Sequence, residues 1–228
     1  MREKGLNLRL MSAVGFVRQG AVFADIGTDH AYLPLFLLSE GRIERAVLSD
    51  INEGPLESAR RNAQASGYAD RVELILTDGA AALADKGITD YAICGMGGEL
   101  IAQIIDLAPH LRNSELNLIL QPMSRQSVLR KYLASAGFRI VAESYSIDVG
   151  KLYVCMQVKF DGVSREISDA DAEFGEKNID IVNKDLQKEF VLRKKQSLLR
   201  AIDGKRRGGE DTTAEEALVA AAEELISV

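Results

Sequence analysis

The sequence predicts an α/β protein with a mostly parallel sheet and a small helical C-terminal unit, and three observations carry that expectation. Short apolar runs alternate with amphipathic stretches from Ala21 to about Gly137. Two strand-like runs then follow one another, Phe138 to Ile147 and Leu152 to Phe160, around an Asp148-Val149-Gly150 turn. That is a hairpin signature, and it adds one antiparallel edge strand to the sheet. After Phe160 there are no strand-like runs, only polar and charged residues at helical spacing.

A leading helix over residues 1–20 puts Leu6, Leu10, Val14 and Val17 on one face. Ala21 to Asp25 reads as the first strand, ending in an acid just before the Gly27 turn. Leu33 to Leu38 opens a helix, with Pro34 tolerated in its first turn. Arg45 to Asp50 is the next strand, and Pro55 to Ser66 a helix closed by Gly67. Val72 to Asp78, Tyr91 to Gly95 and Leu116 to Gln121 are further strands, the last stopped by Pro122. A helix from about Arg125 to Ala136 ends at Gly137. In the tail, Ile179, Val182, Leu186, Phe190, Leu198, Leu199 and Ile202 suit one amphipathic helix. Lys205-Arg206-Arg207-Gly208-Gly209 breaks it, and Thr213 to Ile226 makes a second, antiparallel helix. The expected domains are therefore residues 1–160 and 161–228.

Composition narrows the class. The chain has 228 residues, 46% apolar and 27% charged, which excludes a mostly disordered, collagen-like or disulfide-stapled chain. No apolar run approaches the ~20 residues of a membrane span, and the charged start Met1 to Gly5 is unlike a signal peptide. Cys94 and Cys155 stand far apart in sequence without metal spacing, and the histidines are His30 and His110. A reduced cytoplasmic protein without a metal is expected. The net charge is −6, so any nucleic-acid contact must come from a local patch. Between Lys184 and Arg207 lie nine basic and three acidic residues, a local +6 that reads either as a solvated face or as a track for phosphates.

In open α/β sheets, ligands bind beyond the carboxyl ends of the strands. Here those ends are acidic: Asp25, Asp50 and Asp78 close three successive strands. Asp50 lies 25 residues after Asp25, close to the spacing of an acid that accepts from a nucleotide ribose. The first turn, Gly27-Thr28-Asp29-His30, lacks the G-x-G-x-x-G fingerprint and adds a carboxylate where a pyrophosphate would sit. An anion would be repelled there and a cationic, phosphate-free ligand welcomed. S-adenosylmethionine fits, well ahead of a nicotinamide dinucleotide. Gly95-Met96-Gly97-Gly98 ends the fourth strand and Gln121-Pro122 the fifth, at the same rim.

Taken in order, Ala24 to Pro34, the Gly54 to Ala59 helix start, Asp78-Gly79, Gly95 to Gly98 and Leu120-Gln121-Pro122 resemble the bacterial tRNA (adenine-22-N1)-methyltransferases across roughly residues 6–160. The tail resembles that family's helical domain through Glu173-Phe174-Gly175-Glu176, with Glu176 where several relatives have proline. The resemblance implies a Rossmann-like class I sheet and transfer of a methyl group from S-adenosylmethionine to N1 of an adenine in the tRNA D-loop, leaving S-adenosylhomocysteine. It implies Asp25, Gly27 and His30 at the methionine end of the cofactor, Asp50 at its ribose and Asp78 at its adenine, with Ile51, Gly79 and Gly95 completing that set. Met96, Gly97, Gly98, Gln121 and Pro122 would line the acceptor pocket. Arg9 and the tail residues Lys194, Lys195, Arg206 and Arg207 would meet tRNA, with Arg18 assisting, while Tyr32 stacks on a base or simply packs. Adenine N1 carries its own lone pair, so catalysis needs positioning more than a base. Asp29 is the candidate carboxylate for the charge that emerges on the ring, its alternative role being an N-cap. A monomer without membrane or metal partner is expected. A methyltransferase for another acceptor and a non-catalytic tRNA-binding protein are the competing readings.

Overall fold

The alternation of apolar and amphipathic segments becomes one eight-stranded sheet in the computed structural model, which describes residues 2–3 and 6–227. Its strands are β1 (Ala21–Ile26), β2 (Ile43–Asp50), β3 (Val72–Leu76), β4 (Asp90–Gly97), β5 (Asn117–Ser124), β6 (Phe138–Asp148), β7 (Lys151–Phe160) and β8 (Asp180–Val182). Their spatial order is β8-β6-β7-β5-β4-β1-β2-β3. The connection order reverses at β1, which lies between β4 and β2, and this opens a crevice at the carboxyl ends of β1 and β4. Helices α1 (Leu8–Val14), α2 (Tyr32–Ser39) and α3 (Glu53–Ala65) contribute to the core on one face. On the other lie α4 (Gly98–Asp106) and α5 (Gln126–Ser135), joined by α6 (Asp169–Phe174), α7 (Lys184–Gly208) and α8 (Thr213–Ser227). Central strands buried on both sides explain their continuous apolar runs, as in Ala21 to Ile26 and Leu118 to Leu120.

Four expectations are corrected. The leading helix is confined to Leu8–Val14: Asn7 caps it by accepting from the Leu10 N–H at 2.8 Å, and a two-residue ladder pairs Arg2–Glu3 with Leu6–Asn7 before it. Positions 1, 4 and 5 of that expected helix lie outside the described residues. The antiparallel strand of the hairpin, β7, is internal, wedged between β5 and β6, and not an edge strand. The outer edge is β8, a tail strand parallel to β6 that was expected to be helical. Asn183, in a left-handed conformation at φ +64, separates β8 from α7 and donates from Nδ2 to the Tyr145 carbonyl at 3.0 Å. Finally, β5 does not stop at Pro122: a register slip pairs Pro122 with Met96, so the missing N–H falls at an irregularity of the ladder.

Residues 161–227 are sewn to the sheet through a buried ion pair. Arg130 of α5 meets Glu143 of β6 at 2.8 Å, both side chains fully buried. Arg130 Nη1 also donates to the Ala172 carbonyl of α6 at 2.9 Å, and Tyr145 donates its hydroxyl to Glu143. Burial and the Glu143 charge push the Tyr145 hydroxyl well above its ordinary value, so it stays a donor. Removing one partner of such a pair strands the other in a dry environment. Arg130→Met is therefore expected to cost about 3–5 kcal/mol in urea unfolding. Adding Glu143→Gln should recover part of that loss, because it removes the stranded charge.

Candidate active site

Asp25 occupies the next-to-last position of β1, in register with Leu48 and Ala92. It is only 9% exposed. Burial raises its pKa to about 6; the Thr28 hydroxyl pulls it down, the Asp50 charge pushes it up and Arg9 pulls it down. The chain then turns at Gly27, whose N–H and that of Thr28 both donate to the Ser49 carbonyl, at 2.8 and 3.0 Å. Gly27 has φ +74, and a β-carbon there would stand 2.0 Å from the Met96 methyl. The position thus needs glycine for its backbone and lets Met96 lie directly over it. Asp29 does not cap α2: the N-cap is Ala31, with no side-chain hydrogen bond. Its carboxylate is 81% exposed and 3.5 Å from His30 Nε2. His30 tilts against Tyr32 with ring centroids 5.2 Å apart, and its carbonyl accepts from Asn62 Nδ2 at 2.9 Å.

The next two strand ends extend the acidic rim. Asp50 Oδ1 accepts from the Asn52 N–H at 2.8 Å, and the Asp50 carbonyl accepts from the Thr77 N–H at 3.0 Å, tying the end of β3 to β2. Asp78 is exposed just past β3, followed by Gly79, behind which Ile104 packs. Ile51 and Leu76 are exposed apolar side chains beside these acids, a pair of surfaces suited to a flat ring.

On the other side of the crevice, β4 runs on through Gly95, Met96 and Gly97 beside the end of β5. Gln121 is fully buried, and its amide oxygen accepts from the Gly95 N–H at 3.1 Å and from the Arg9 guanidinium. Its amide nitrogen donates to the Pro122 carbonyl at 3.3 Å and contacts the Met123 sulfur at 3.7 Å. Arg9 also faces the Tyr153 ring, 6.0 Å from its centroid. Gly98 starts α4 in close contact with the loop before α5. Asn62, Ser49 and Met123 escape sequence reading, because a backbone carbonyl and two mid-pattern side chains carry no local signature.

Basic residues expected at tRNA sit elsewhere or face partners. Arg18 lies at the amino rim, 2.8 Å from Asp90, away from the crevice. Lys194 pairs with Glu173 at 2.6 Å, Lys195 with Glu223 at 2.8 Å, Arg206 with Glu216 at 2.9 Å, and Arg207 with Asp203. Lys205, Arg206 and Arg207 continue α7 instead of breaking it; the helix closes at Gly209, with φ +71. Arg193 donates to the Gly150 carbonyl at 3.0 Å, so α7 touches the tip of the β6–β7 hairpin at the carboxyl rim.

Four aspartates, Asp25, Asp29, Asp50 and Asp78, with Arg9 as a half-buried cation among them, suit a cationic nucleoside and would repel a pyrophosphate. Together with the crevice at the β1/β4 reversal, they define a Rossmann-like methyltransferase site. The family of methyltransferase domains matches residues 6–156. A tRNA (adenine(22)-N(1))-methyltransferase of Bacillus subtilis is 32% identical over 172 residues, covering 72% of each chain. A Streptococcus pneumoniae protein assigned as a tRNA (m1A22) methyltransferase, solved in complex with S-adenosyl-L-methionine, superimposes with a TM-score of 0.82 at 31% identity, covering 99% of this chain and 100% of that one. A Streptococcus agalactiae Rossmann-superfamily protein gives 0.84 at 30% identity over 97% of each chain. The chain belongs to the tRNA (adenine(22)-N(1))-methyltransferase family.

Asp25 has a consequence for stability. The folded chain holds its proton up to about pH 6, whereas an unfolded aspartate releases it near 3.8, so the folded state binds more protons in that window. Its stabilising contribution is present at low pH and lost as pH rises through 6. The loss is about 3 kcal/mol. Asp25→Asn should therefore gain stability relative to the parent as pH rises from 4 to 7, read as a growing difference in Tm between the two ligand-free proteins.

Proposed function

We infer that the protein transfers a methyl group from S-adenosylmethionine to N1 of adenine 22 in the tRNA D-loop. The observation that carries the reading is the run of carboxylates at the ends of β1, β2 and β3, on a fold and sequence shared with that enzyme family. Bound S-adenosylmethionine supplies an electrophilic methyl group on a sulfonium. Asp25 attracts its positive charge, with Gly27 and His30 shaping the methionine end. Asp50 accepts from the ribose hydroxyls through the oxygen that Asn52 leaves free, while Asp78, Gly79 and Ile51 surround the adenine. Gly95 completes the cofactor side. Met96, Gly97 and Gly98 line the acceptor pocket, with the buried Gln121 and Pro122 supporting them from behind, and Tyr32 and Arg9 border it.

N1 sits on the Watson–Crick edge, so the target base must be unpaired and turned out of its stack. Since N1 attacks with its own lone pair, the chain's task is alignment and charge stabilisation. Asp29, uncommitted to the helix behind it and exposed toward solvent, is the carboxylate available to face the ring as positive charge builds. Lys194, Lys195, Arg206 and Arg207 exchange their carboxylate partners for tRNA phosphates. The open pairs at Arg206 and Arg207 contribute little and yield most readily to a stronger anion, while the Lys194–Glu173 pair is partly buried. Among the described residues no helix is long and apolar enough to cross a membrane. A cytoplasmic location fits a tRNA substrate.

Methylation of an unmodified tRNA transcript, followed by nucleoside analysis, tests the assignment. 1-Methyladenosine is expected, and a transcript with guanine in place of adenine at nucleotide 22 should give none; product from both would refute it. In single turnover at saturating cofactor, Asp29→Asn is expected to slow transfer by roughly tenfold or more, and a near-parental rate would remove Asp29 from the chemistry.

A further inference from the structure

The acceptor side of the rim carries a strained arginine. Arg125, between β5 and α5, has φ +57, a left-handed conformation that costs a side-chain-bearing residue and that glycine adopts freely. On the same rim Gly27, Gly79 and Gly95 meet a positive φ with glycine, while Ala31 (φ +58) and Val149 (φ +47) share the left-handed conformation of Arg125. The conformation is locked in place, because the Arg125 carbonyl oxygen lies 2.3 Å from where a β-carbon on Gly98 would stand. The loop and the first turn of α4 are pressed together there, which fixes Arg125 beside Gly97 and Gly98.

Its guanidinium is free to work. The side chain is 69% exposed, and its ion-pair partner is Glu99, 3.8 Å away and 65% exposed. A pair so long and so open contributes little and is readily exchanged. Several other arginines are committed. Arg18, Arg42 and Arg71 bind Asp90 or backbone carbonyls at the amino rim. Arg9 is held by Gln121, and Arg130 by Glu143. A polyanion approaching the acidic carboxyl rim needs a cation where its target base enters, and Arg125 stands at that point.

Resting on the tRNA reading above, we propose that Arg125 is a substrate-binding residue that grips a backbone phosphate flanking the target adenosine, releasing Glu99 to do so. The planar guanidinium fork matches two phosphate oxygens. Held there, the phosphate is kept off the four aspartates while the base turns in over Met96, Gly97 and Gly98 at the end of β4.

The test is steady-state methylation of the tRNA transcript by the parent chain and by Arg125→Gln, Arg125→Lys and Arg125→Gly, at several salt concentrations, with Tm measured alongside. Arg125→Gln should raise KM for tRNA roughly tenfold with a smaller change in kcat. It should also flatten the plot of log affinity against log salt by about one unit. Arg125→Lys should restore the salt slope and only part of the affinity, having the charge without the fork. Arg125→Gly relieves the backbone strain, so its Tm should hold or rise while its KM rises like that of the Gln variant. Parental KM and salt slope in the Gln and Gly variants would overturn the proposal. So would a KM increase in both that follows a fall in Tm. Failure of the underlying reading shows separately, as a parent chain that methylates no tRNA.

Discussion

Asp25 stands at the carboxyl end of the central strand with water nearly excluded, and its surroundings only partly answer its charge. Arg9 draws it down and Asp50 pushes it up, while burial outweighs both. A site with that balance favours the approach of a cation. The absence of a glycine-rich phosphate loop, the extra carboxylate at Asp29 and the acids closing β2 and β3 all agree with the same constraint. Family membership and the geometry of the crevice thus point to one chemistry for independent reasons.

The two sides of the crevice are built by different means. Beside β1 and β2, turns are held by backbone carbonyls, as Ser49 holds Gly27 and Thr28. Beside β4 and β5, a buried side chain does the holding: Gln121 joins α1, through Arg9, to the Gly95 peptide. The N-terminal helix is therefore part of the site's framework. The buried Arg130–Glu143 pair does the same for the tail, because it ties α6 to α5 and β6. α7 then reaches the hairpin tip at the carboxyl rim through Arg193.

The legible parts were those encoded by short-range pattern. Apolar runs ending in Asp25 and Asp50 became β1 and β2 within two residues of expectation, and the two-residue Val149-Gly150 turn closed the hairpin with both residues at positive φ, +47 and +75. The segments that misled were those whose pattern is ambiguous at short length. Ile179 to Val182 reads equally as the edge of a helical stripe or as a three-residue strand, and only pairing with β6 decides it. Pro122 reads as a stop, yet β5 passes through it because its neighbour slips register there.

The sequence alone determined the alternating architecture, the acidic strand ends and the glycine-rich turn after β4, because each depends on residue types at neighbouring positions. Tertiary structure decided which charges are free and which are committed. Lys194 and Lys195 look like open cations in the chain, but each meets a carboxylate from another helix, and Arg18 and Arg125, alike in sequence, fall at opposite rims of the sheet. An electrostatic role depends on distance in space, and distance between remote segments is set only when the sheet closes and the helices pack.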